Sequence, residues 1–131
     1  MTAAAATRDR AGPALAGLLV VTGVTHFVVP HFYDAVVPAV LPGGPRVWVL
    51  ASGGAELACA ALIANRRTRG LGATLAMVLF VVVFPANVKM AIDWSHQGPV
   101  KAAIGLLRLP LQLPLAYWAL RVRRRAIASP A

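Results

Sequence analysis

The run RVWVLASGGAELACAALIAN, residues 46–65, decides the fold class. It is apolar over a length that crosses a bilayer, and it carries one carboxylate, Glu56, near its middle. At a rise of about 1.5 Å per residue, Glu56 lies about 15 Å from Arg46, close to the midplane of a hydrocarbon core about 30 Å thick. An unpaired charge at that depth costs at least about 3 kcal/mol, so Glu56 is expected to be protonated, paired or turned into a wet cavity. Ser52, Gly53, Cys59 and Ala60 share its face. Small side chains there let a neighbouring helix come close.

Outward from this stretch the chain keeps the same character. Its 131 residues are 59% hydrophobic and 13% charged, with a mean hydropathy of +0.71. A soluble domain of that length cannot hide so much apolar surface. Apolar segments at residues 13–30, 46–64, 71–92 and 99–121 predict an all-α membrane protein, a four-transmembrane-helix bundle occupying 13–122. A tail at 1–12 and a basic tail at 123–131 flank it, both expected in the cytoplasm. Between the first two spans, HFYDAVVPAVLPGGP (31–45) is too polar and too rich in proline to cross. Pro30, Pro38 and Pro42 confine any helix there to about two turns, which predicts a short interfacial or re-entrant segment lying as a lid over the outer end. The third span is expected to be one helix with Pro85, Asn87 and Lys89 towards its outer end. The fourth carries Lys101, Ile104, Arg108, Gln112 and Leu115 along one stripe, and Pro110 and Pro114 each remove a backbone donor, so kinks are expected.

Charge orients the bundle. Of thirteen Lys and Arg residues, nine fall at one end: Arg8, Arg10, Arg66, Arg67, Arg69, Arg121, Arg123, Arg124 and Arg125. Only Arg46 and Lys101 mark the other end. By the positive-inside rule both termini are cytoplasmic, in a plasma membrane, and the basic clusters face anionic lipid head groups. The net charge of +9 does not point to nucleic acid, because the basic residues sit at the ends of apolar runs and are not interleaved with aromatics. A single cysteine, Cys59, excludes an internal disulfide and any CxxC redox pair.

Four polar residues fall one to each span: His26, Glu56, Asn87 and Arg108. Counted from the outer ends, His26 lies about 6 Å deep, Asn87 about 8 Å, Arg108 about 13 Å and Glu56 about 15 Å. Glu56 and Arg108, similar in depth and opposite in charge, are expected to form an ion pair. His26 and Asn87 would complete a funnel above it, with Gln112 and Ser52 filling out a candidate ligand-binding set. Thr22 shares a face with His26. The same residues also have a plainer reading, as polar glue between helices. One His and one carboxylate are too few for a metal site, and no catalytic residue is assigned.

GVTHFVVPHFYDAVVPAVLP, SGGAELACAALI and VFPANVKMAID together resemble the DoxX-like family of small four-helix bacterial membrane proteins, over roughly Leu15 to Val122. The resemblance implies a bacterial plasma-membrane protein tied to a redox or sulfur-stress assembly, with a quinone as its associated cofactor. A partner membrane or redox subunit, or a second copy of the chain, would go with it. It carries no catalytic residue set, and the missing cysteine pair removes any thiol-based activity. Three functions fit. The first is an accessory or ligand-binding, quinone-linked subunit. The second is a structural or assembly protein whose polar residues only fix helix packing. The third is a small transporter, for which a lone Glu and no visible inverted repeat are thin support.

Overall fold

A computed structural model describes residues 10–128 of the chain. Six helices follow in order: α1 (Ala11–Val28), α2 (Pro30–Asp34), α3 (Pro45–Ala64), α4 (Arg69–Val82), α5 (Phe84–Ser95) and α6 (Pro99–Ala128), with no strand among the described residues. α1, α3, α4 with α5, and α6 are the four segments long and apolar enough to cross a membrane. Of the expected tails, residues 1–9, Arg8 among them, and 129–131 lie outside the described residues.

Proline and glycine set the boundaries. Pro30, Pro45 and Pro99 each open a helix, where a missing N–H goes unneeded. Gly43 and Gly44, with φ of 86° and 82°, reverse the chain ahead of α3. The third span is not one helix as expected but two, divided at Val83. Pro85 offers no N–H to the Val81 carbonyl, and the residue before a proline resists the helical region. The fourth helix outruns its expected end, continuing through Arg123, Arg124 and Arg125 to Ala128. Arg and Ala are good helix formers whether or not the helix remains in lipid.

α1 lies along α3, α4 and α5 lie along α6, and α3 against α4 joins the two pairs. The main core sits at the end where α3 passes into α4, here called the basic end. Leu15, Leu19, Ile63, Ala73, Ala76 and Ala119 are all but fully buried there. Glycines bring the backbones together. A Cβ on Gly72 would stand 2.8 Å from the Ile63 nitrogen, and one on Gly105 2.9 Å from Ala91 Cα. The outward surface is apolar, with Val21, Val28, Val81, Val82, Leu107 and Leu113 exposed, which suits a surrounding of lipid rather than water.

At the distal end the two pairs diverge, since α5 packs on α6 but not on α1 or α3. The segment from Pro30 to Gly44 reaches from one pair to the other. Arg46 donates to both oxygens of Asp34, the shortest contact being 2.6 Å. That guanidinium holds the surface Asp34 carboxyl below the usual carboxylate range. Trp48 Nε1 donates to the Pro42 carbonyl at 2.7 Å, Lys89 Nζ to the Ala35 carbonyl at 2.9 Å, and Phe32 meets Trp94 edge-on at 5.6 Å. The expected short segment is therefore a five-residue helix and a set of turns, tied at both sides.

Candidate functional site

On α1, Thr22, Thr25 and His26 fall at helical spacing, so their side chains meet around one carbonyl. Thr25 Oγ1 donates to the Thr22 carbonyl at 2.6 Å, and His26 Nδ1 contacts the same oxygen at 2.7 Å. A carbonyl only accepts, so His26 Nδ1 carries the ring proton and Nε2 the lone pair. Tyr33, from α2, stacks on the His26 ring with centroids 4.0 Å apart and planes 12° apart. Its hydroxyl lies 2.7 Å from Thr25 Oγ1 and donates to it, because the Thr25 proton is already given to Thr22.

Gly53 brings α3 onto this surface. A Cβ at Gly53 would fall 2.7 Å from His26 Cβ, so only glycine leaves room for the histidine. One turn further along α3, Glu56 Oε2 then lies 3.4 Å from His26 Nδ1. That proton goes to the Thr22 carbonyl, and Oε2 is left buried without a hydrogen bond, the one such side-chain N or O atom among the described residues. An unpartnered buried acceptor is costly.

The expected Glu56–Arg108 ion pair is corrected here. The partner at hand is His26, because α3 packs against α1 and α4 whereas α6 packs against α4 and α5. Arg108 Nη1 instead reaches the Met90 sulfur at 3.8 Å, and its charge acts on Glu56 and His26 through space. Of the other expected site residues, Ser52 is half-buried one turn from Glu56 towards the distal end. Asn87 is buried on α5, just past the break at Val83. Gln112 is buried and donates its amide to the Phe80 carbonyl at 3.0 Å, bracing the end of α4 from the neighbouring helix. Glu56 and His26 thus form one cluster with Thr22 and Tyr33, while Asn87, Arg108 and Gln112 belong to the facing pair.

Between α1 and α6 runs an apolar groove of about 290 Å³, lined by Leu18, Leu19, Thr22, Phe80, Leu111, Pro114 and Leu115. Leu111 and Pro114 are exposed, so the groove opens onto the apolar surface. Thr22 belongs to both the groove and the polar cluster. The sequence signals the Thr22–His26 face through its i, i+4 spacing. It does not signal Tyr33, Met90 or the groove, which depend on how helices turn about their axes. Among the described residues no three His, Cys, Asp or Glu side chains converge to hold a metal.

Residues 15–123 match the model of a family described as "Domain of unknown function (DUF8561)". No curated protein and no solved structure matches the chain.

Proposed function

We propose, for a chain that belongs to the DUF8561 family and receives no activity from that family's description, that it is a membrane protein binding a small amphipathic molecule. The head group lies among Glu56, His26, Tyr33 and Arg108, and the tail leaves through the groove between α1 and α6. Thr22 carries this reading, because it lines the groove and also supports His26 through its carbonyl. Ligand sites pair apolar walls with a few convergent polar groups. The resemblance to DoxX-like proteins suggests a quinone as that molecule and an accessory role in a redox system, in a bacterial plasma membrane with both termini cytoplasmic. Arg108 offers donors to a ring carbonyl, and the gathering of basic residues at one end supports the orientation.

A structural role is the second reading, favoured by Gln112, whose amide is committed to the Phe80 carbonyl. Two measurements separate them. Native mass spectrometry from mild detergent would show a co-purifying small molecule. Titration with a short-chain quinone analogue, followed by emission from Trp48 and Trp94, would show saturable quenching that weakens in folded His26→Ala and Asn87→Ala. No saturable signal with any quinone or lipid-like ligand, together with variants that fall apart in detergent, leaves the structural reading.

A further inference from the structure

The side-chain donors of α1 and α2 nearest Glu56 Oε2 have other acceptors, and the Thr22 hydroxyl also acts on the Glu56 carboxylate. The His26 Nδ1 proton goes to the Thr22 carbonyl, the Thr22 hydroxyl to the Leu18 carbonyl at 3.1 Å, and the Thr25 hydroxyl to Thr22. The Tyr33 hydroxyl is spent on Thr25. Arg108 belongs to the facing pair, bonded to Met90. Glu56 Oε2 is thus buried without a donor, and a hydroxyl bonded to it would hold the carboxylate in its charged form.

We infer that the head group of the bound amphipath carries a hydrogen-bond donor, a hydroxyl that gives its proton to Glu56 Oε2. This rests on the binding role proposed above and narrows it. A head group with only acceptors would satisfy Arg108 and leave Oε2 as it stands. A hydroxyl completes Oε2 and keeps lone pairs for the guanidinium.

The test compares para-octylphenol with its methyl ether by calorimetric titration of the whole protein in mild detergent. The two share a tail and an ether or hydroxyl oxygen that accepts from Arg108, and only the phenol donates. The phenol is expected to bind at least about tenfold more tightly, the range of a charge-assisted hydrogen bond. In Glu56→Gln, shown to be folded by its melting curve, the preference should fall to within about threefold, since the charge that strengthens the bond is gone. Equal binding of phenol and ether to the wild type overturns the inference and leaves the amphipath site standing. So does a phenol preference that Glu56→Gln does not change. Saturable binding of neither compound overturns the binding role itself. Should Glu56→Gln fail to fold, the two wild-type dissociation constants still decide.

Discussion

At the basic end four helices meet over the buried apolar side chains Leu15, Leu19, Ile63, Ala76 and Ala119. At the distal end the same helices part into two pairs, with Glu56 and His26 on one and Asn87 and Arg108 on the other, bridged above by the Pro30–Gly44 segment. Both ends face the same solvent on their outer surface, so hydrophobicity alone does not separate them. The difference lies in side-chain volume and hydrogen-bond saturation. Alanines and glycines at the basic end let backbones approach closely. At the distal end the polar side chains are larger, and the Glu56 carboxylate keeps one oxygen, Oε2, unsatisfied. Apolar packing is concentrated at one end and buried polar groups at the other.

The largest effect should come from the core. Leu15 is fully buried, and Leu15→Ala should cost about 2–5 kcal/mol, read as a lower melting temperature in detergent. His26→Ala should cost about 1 kcal/mol, the net worth of one hydrogen bond, because the part-buried site lets water replace it. Equal losses at the two sites would erase the contrast between the ends.

Gly53→Val tests the joint between them, since a side chain there meets His26 Cβ and Phe27. Overpacking should cost about 1–3 kcal/mol. It should also displace His26, abolishing ligand quenching of Trp94 where Gly54→Val, which meets nothing within 4 Å, leaves it intact.

A smaller effect sharpens the assignment of Glu56. A double-mutant cycle between Glu56→Gln and His26→Ala should show coupling of about 0.5–1 kcal/mol, while Glu56→Gln with Arg108→Met should add within about 0.5 kcal/mol. The reverse ranking would restore the pairing expected from depth.

The smallest effect concerns the Pro30–Gly44 segment. Arg46 depresses the Asp34 pKa in the folded chain, so the tie contributes above the unfolded value and is lost as pH falls through the folded one. Trp48 emission should therefore stay constant from neutral pH down towards the ordinary carboxylate pKa of 3.8 and change only below it. Arg46→Ala, having no tie to lose, should show no such step.

Much of this contrast was legible in the sequence, and the remainder was hidden for identifiable reasons. Four apolar runs, the short proline-rich segment and the isolation of Glu56 in an apolar face follow from hydropathy and residue spacing. Depth along each helix follows too, because rise per residue is constant. What depth cannot supply is azimuth. Glu56 and Arg108 are level with each other, yet α3 turns its carboxylate towards α1, where Gly53 admits His26. Pro85 was visible, but whether it bends a span or divides it depends on whether something receives the exposed carbonyls. Here Gln112, from α6, takes the Phe80 carbonyl. The Arg123–Arg125 stretch reads as a tail by hydropathy and is helical by propensity.

The central claim is that a tail occupies the α1–α6 groove while its head meets the Glu56–His26 cluster. Photolabelling with an alkylphenol bearing a diazirine at the end of its tail, followed by peptide mass spectrometry, tests it directly. Label should appear on Leu18, Leu111 and Leu115, saturate with concentration and vanish under competition by unlabelled para-octylphenol. Label spread over the outward residues Val21, Val78 and Leu107, unaffected by the competitor, would mean the compound merely dissolves around the helices and would contradict the account.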